Sequence, residues 1–173
     1  MQYARGLLIG RFQPLHFGHI HLIHESLTHI DRIIIGIGSA QKKQIHADEN
    51  PYTYDLRKKM LELMIQHENM KEQIESVIPL NDDPNDDVWR THVLAQTGPI
   101  DVVVTNNDWV TGIFESVGTP TLSIPLYKRH LYEGKRIRET LSQPHAWQQY
   151  MPEYVWEILS YGTISVRKNV TQT

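Results

Sequence analysis

Two histidines three residues apart, His16 and His19, follow one arginine in the stretch Gly10-Arg11-Phe12-Gln13-Pro14-Leu15-His16-Phe17-Gly18-His19. These side chains suit phosphate recognition. A guanidinium is a permanent, fork-shaped cation, and an imidazole is an N–H donor that can carry charge near neutral pH. The flanking residues say where the stretch sits. Gly6-Leu7-Leu8-Ile9 before it reads as a buried strand. Ile20, Ile23, Leu27 and Ile30 after it fall at helical spacing. A helix that starts just beyond a strand offers unpaired N–H groups and a partial positive charge, at the sheet end where open α/β folds hold ligands. Gly18, without a Cβ, lets backbone or a nucleotide come close. Two alternatives stay open. His16 could simply pack, or the pair could belong to a metal site with His21, His24 or His29, although Glu25 is the one acidic residue on that helix face. His21, His24 and His29 otherwise read as solvated flanks of the apolar stripe.

A second strand exit follows at Ile35-Gly36-Ile37-Gly38-Ser39-Ala40-Gln41. Ser39 and Gln41 could hold ribose or phosphate by neutral hydrogen bonds, or Ser39 could cap an ordinary turn. Trp89 lies among Val88, Val93 and Leu94. It is either a core residue of an amphipathic helix or a flat surface on which a ring can stack.

The elements that must position these residues alternate along the chain. Strands are predicted near 5–10, 32–38, 74–80, 100–105 and 120–125, and helices near 18–30, 53–68, 87–97, 107–117, 134–143 and 150–160. Strands separated by helices imply an α/β fold: a single Rossmann-like domain over 1–173, with a parallel five- or six-stranded sheet and helices on both faces. The helical part from about 134 to 173 is expected to pack on it. Leu56, Met60, Leu63 and Met64 form an apolar stripe, and Val102-Val103-Val104 reads as a strand buried on both faces. Asn81 to Asp87 is an acidic loop, and Asn169 to Thr173 a polar end, frayed or docked on a partner.

Composition narrows the function. The 173 residues suit one core, and 40% are hydrophobic, with no apolar run near membrane-spanning length. That argues against a membrane partner. No basic segment followed by an apolar one opens the chain, so a cytoplasmic location is expected. A net charge of -3 argues against a broad nucleic-acid face. With no cysteine, disulfides, thiolate catalysis and cysteine metal sites are excluded.

The ordered motifs resemble the archaeal-type nicotinamide-mononucleotide adenylyltransferases of the HxGH nucleotidyltransferase superfamily. His16-Phe17-Gly18-His19 is similar to HxGH, and Gly10 to Pro14 to that family's first loop. Gly36 to Gln41, Glu49-Asn50-Pro51-Tyr52-Thr53, Arg57, the pair Asp83 and Trp89, and the end from Trp147 to Pro152 and Gly162 to Lys168 follow in order. The resemblance implies adenylyl transfer from ATP to nicotinamide mononucleotide, giving NAD and pyrophosphate. It implies an ATP site of Gly10, Arg11, Phe12, His16, Gly18, His19, Ser39, Gln41, Lys135 and Arg138, with Arg11, His16, His19 and Arg138 catalytic. It implies a nicotinamide-mononucleotide site of Asn50, Trp89, Asn107 and Tyr127. Mg2+ would arrive on the ATP phosphates, and a homo-oligomer, hexameric as in archaeal members, is expected. Departures concentrate at Tyr132-Glu133-Gly134-Lys135-Arg136-Ile137-Arg138. There Glu133 and Lys135 replace a capping serine and a threonine, and Asn106 replaces a glycine before Asn107. Glu133 could cap the helix instead, and Lys135 and Arg136 favour a triphosphate, unless they form a solvated face. Two rivals follow: another HxGH transferase with a different phosphate acceptor, or a nucleotide-binding regulator without turnover.

Overall fold

The computed structural model describes residues 2–41 and 50–168, with side chains through residue 160. Glu49 and the end from 169 to 173 lie outside the described residues. Five strands form one parallel sheet: β1 (Tyr3–Gly10), β2 (Ile30–Gly38), β3 (Ile74–Leu80), β4 (Val102–Val104) and β5 (Thr121–Leu122), in the order β3-β2-β1-β4-β5. Of the expected five or six strands, five are present among the described residues. The isoleucine run of β2 suits a central position, since branched side chains pack well on a pleated surface buried on both faces.

Two cores follow from this order. On one face lie α1 (Phe17–Leu27), α2 (Tyr54–His67), α5 (Gly134–Thr140) and α6 (Glu153–Lys168). They bury Ile20, Ile23, Met60, Met64, Ile137 and Val155 against Leu8, Ile33 and Ile35 of the sheet. On the other face lie α3 (Asp86–Thr97) and α4 (Asp108–Glu115), which bring Trp89, Val93, Val110 and Phe114 onto Leu7, Ile34 and Val103. Leu61 rather than the expected Leu63 is among the fully buried residues of α2. A 3-10 turn over Ala146–Gln149, absent from the sequence reading, joins α5 to α6.

β1 sits between β2 and β4, so the chain leaves it toward one side and returns on the other. That reversal opens a crevice at the carboxyl ends of β1 and β4, the usual ligand position of such sheets. The loop from Gly10 to His16 enters there.

Candidate active site

Residue by residue, the loop after β1 is built from contacts that only its own sequence allows. Phe12 takes a left-handed backbone (φ 51°) and its ring is fully buried. A Cβ on Gly10 would stand 2.8 Å from that ring, so Gly10 makes room for it. A ligand can therefore meet Phe12 through its backbone alone. Gln13 ties the loop to the chain before α2. Its amide donates to the Tyr52 carbonyl and accepts from the Tyr52 N–H, both at 3.0 Å. The Gln13 carbonyl in turn accepts from Arg138 Nη1 at 2.7 Å. One residue thus joins three segments that are far apart in sequence.

His16 is the N-cap of α1, with an extended backbone. Its Nδ1 accepts a long hydrogen bond (3.3 Å) from the His19 N–H. This favours the tautomer with the proton on Nε2. The two imidazoles stack, with centroids 3.7 Å apart. Burial lowers the His16 imidazole to about 3. Burial, then the neighbouring His16, holds His19 well below its ordinary value. Burial thus favours the neutral form of both rings, in which an imidazole can still donate one hydrogen bond. His19 Nδ1 is buried with no hydrogen-bond partner among the described residues. A polar atom in that state is a place for a ligand or water.

Rings extend this pair into a row. Phe12 lies against His19 (4.8 Å), and Tyr132 lies nearly parallel to His16 (6.2 Å). Tyr132 also stacks on Tyr127 (5.7 Å), and Tyr127 on His21 (4.4 Å). His21 is therefore half-buried in a stack rather than solvated, while His24 is exposed and pairs with Glu68 at 2.9 Å. Gly18 fits beneath this segment: an added Cβ would stand 2.8 Å from Tyr132 Cβ. The close approach at Gly18 is thus made by the chain's own tyrosine.

The remaining expected residues divide. Arg11 is exposed, and its guanidinium has no ion-pair partner among the described residues. Arg138 is half-buried and reaches the histidine loop through Gln13. Lys135 is exposed. Glu133 occupies the N-cap of α5 but makes no side-chain capping bond, contrary to the capping role considered for it. Ser39 has a left-handed backbone (φ 51°), and its hydroxyl donates to Asp82 Oδ1 at 3.1 Å. The Gln41 amide is engaged with the Asp82 backbone at 3.2 and 3.0 Å. Asn50 is buried, with its Oδ1 unpartnered among the described residues. Asn107 caps α4 by accepting from the Trp109 N–H. Asn106, the residue in place of a glycine, bonds Ile124 and Ser123 and so links the ends of β4 and β5.

Trp89 is 3% exposed, with its ring against Trp109 (5.0 Å) and Phe114 (6.1 Å). Trp109, which sequence reasoning missed, is 46% exposed and lines a cavity of 710 Å³ with Asp86, Asp87, Arg90 and Asp108. Its position five residues after β4, at the same sheet end as the histidine loop, was the available signal. Arg57 was also undervalued. It is fully buried, and it donates to the carbonyls of Arg11 (2.9 Å), Gly38 (2.8 Å) and Ser39 (3.0 Å). An arginine inside an apolar helical stripe is the trace of that role in the sequence.

Comparison with known proteins now has a geometry to rest on. Residues 7–166 match the cytidylyltransferase-like family. A nicotinamide-nucleotide adenylyltransferase of Archaeoglobus fulgidus is 36% identical over 158 residues, 90% of this chain and 90% of the relative. Its counterpart in Methanosarcina mazei is 35% identical over 169 residues, 97% of this chain and 95% of the relative. The chain belongs to the nicotinamide-nucleotide adenylyltransferase family. In fold, this adenylyltransferase family member is similar to a bifunctional NMN adenylyltransferase/ADP ribose pyrophosphatase of Francisella tularensis, solved with AMP and a manganese ion. The TM-score is 0.69 at 24% identity, over 87% of this chain and 44% of that one. The chain spans under half of that bifunctional protein, so the likeness is one of fold.

Proposed function

We propose that the chain transfers the adenylyl group of ATP to nicotinamide mononucleotide, releasing pyrophosphate and forming NAD. The observation that carries this is the stacked His16/His19 pair at the start of α1, with Arg138 bonded to the Gln13 carbonyl of the loop that also carries Arg11, in a chain whose relatives carry that name over nine-tenths of its length. A phosphate oxygen of the mononucleotide forms a bond to the α-phosphorus, and the bond from that phosphorus to the bridging oxygen breaks. The nucleophile is already an anion, so alignment and charge neutralisation matter more than a general base. Arg11 and Arg138 are the cations that hold the phosphates. A neutral His16 or His19 donates to a phosphate oxygen, and the arriving negative charge favours protonation of the pair. Gly10, the Phe12 backbone, Gly18, Ser39, Gln41 and Lys135 complete the ATP side. Asn50, Trp89, Asn107 and Tyr127 are assigned to the mononucleotide side.

Among the described residues no three metal-ligating side chains gather. The donors at the histidine loop are guanidinium and imidazole, which fits a Mg2+ ion that enters on the ATP phosphates and keeps its waters. When bound, such an ion neutralises charge on the polyphosphate. The working form is a homo-oligomer, in keeping with the family resemblance. A cytoplasmic location follows from its use of ATP. No helix among the described residues is long and apolar enough to cross a membrane. The test is incubation with ATP, Mg2+ and nicotinamide mononucleotide, with NAD and pyrophosphate read in parallel. Equal yields support the proposal, and ATP binding without product supports the regulator.

A further inference from the structure

Arg57 carries a full charge into a buried site where, among the described residues, Asp82 is the acidic group that acts on it from nearby. Its residue is 0% exposed, and each of its hydrogen bonds ends on a carbonyl: Thr53 at 3.4 Å, Arg11 at 2.9 Å, Gly38 at 2.8 Å and Ser39 at 3.0 Å. Two of those carbonyls belong to the exit of β2, and one to the loop that leaves β1. Carbonyls offset only part of the cost of burying a cation. Burial lowers Arg57 from its ordinary value, the guanidinium of Arg11 lowers it further, and the Asp82 carboxylate offsets part of this. The repulsion between the two guanidiniums, offset in part by Asp82, favours an anion at the carboxyl ends of these neighbouring strands.

We propose that Arg57 is a positioning residue for the ATP site: by gripping the carbonyls that end β1 and β2 it aims Arg11 and Ser39 at one triphosphate, and its buried charge adds to the attraction. This rests on the adenylyl-transfer reading above. A neutral donor at this position could hold the same loops but would not supply the charge. A lysine would keep the charge but reach fewer carbonyls, because an ammonium lacks the planar fork.

The test compares the parent, Arg57→Lys, Arg11→Ala and the double variant, each checked by melting curve. Arg57→Lys is expected to lower kcat about 10- to 100-fold, the scale of an ångström-sized misplacement. It should raise KM for ATP and leave KM for nicotinamide mononucleotide unchanged. In the Arg11→Ala background the same substitution should change kcat by less than about threefold, since the group being positioned is gone. Independent effects of the two substitutions, or a lower melting temperature with parental kcat and KM, would overturn the proposal. A second measurement uses the unsubstituted chain and does not depend on a variant folding. The Arg57 Nε–H resonance should exchange slowly with solvent and shift as ATP is added, and a resonance that ignores ATP would overturn the proposal. A parent that shifts this resonance with ATP yet forms no NAD counts against the proposed activity while supporting the place of Arg57.

Discussion

His16 both caps α1 and stacks on His19. Replacing it with asparagine separates the two roles, because an asparagine oxygen can still accept at an N-cap while the imidazole is lost. His16→Asn should keep its melting temperature within a few degrees of the parent and lose activity. His16→Ala should lose about 1 kcal/mol of stability as well. His19→Ala and Arg11→Ala each remove a contact to charge that develops in transfer. Each should cost about 2–4 kcal/mol of barrier, read as kcat lowered roughly 10²- to 10³-fold with the fold intact. Normal turnover in either would refute the assignment. His24→Ala is the control: its exposed pair with Glu68 lies outside the site, and kcat should not change. The pH dependence has a definite sign. Burial holds His16 and His19 below the ordinary 6.5, so the unfolded chain binds more protons than the folded one from pH 6.5 downward. Stability contributed by the neutral pair is complete above 6.5 and falls as the pH falls. Between pH 6.5 and 5, above the range of the depressed Glu75 carboxyl, the parent's melting temperature should fall, and that of His16→Asn should fall less. Equal falls would contradict a buried neutral pair.

At the scale of elements, Gly18→Ala tests how closely α1 sits beneath Tyr132. The new methyl would meet Tyr132 Cβ at 2.8 Å and the His16 ring at 3.0 Å. Such overpacking costs about 1–3 kcal/mol, and the shift falls on the histidine pair, so kcat should fall together with melting temperature. At α5 the two cations differ. Arg138→Ala removes the bond to the Gln13 carbonyl and should lose most activity. Lys135 is exposed, and Lys135→Thr should keep kcat while KM for ATP rises, more so at low salt. Much of this arrangement was legible in the chain. Period-two and unbroken apolar runs gave all five strands, because branched residues and glycine boundaries mark buried parallel strands strongly. Helical spacing gave α1 to α6, with α6 running well past the expected 160. The less legible parts were set by tertiary contacts. Nothing local shows that Glu133 fails to cap α5, that Gly18 yields to Tyr132, or that the amides of Gln13 and Gln41 read backbone forty residues away. Arg57 entered only as a match to the family's motif, because carbonyl partners leave no pattern in sequence.

At the scale of the whole molecule, the sheet order places the loops that leave β1, β2 and β4, with Arg11, Ser39 and Asn107 on them, at one end of the strands. Both cores hold that end in place: α1 and α2 from one face, α3 and α4 from the other. Aromatic side chains of the C-terminal part, the candidate anchors for a homo-oligomer, pack partly within the chain. Trp147 stacks on Trp156 at 5.5 Å and Tyr154 on His67 at 4.3 Å; the two tryptophans and Tyr154 are half-buried, and His67 is exposed. What stays exposed at these rings is available to a second copy. A mass in solution at micromolar concentration that is a multiple of 20.2 kDa supports the proposed homo-oligomer, and a monomeric mass contradicts it. The central claim is chemical and has a direct test. The purified chain is given ATP, Mg2+ and nicotinamide mononucleotide, and NAD and pyrophosphate are quantified over time beside an identical reaction with chelator in excess. Equimolar NAD and pyrophosphate, abolished by the chelator, is the result expected. ATP that binds or is consumed without any NAD would contradict it.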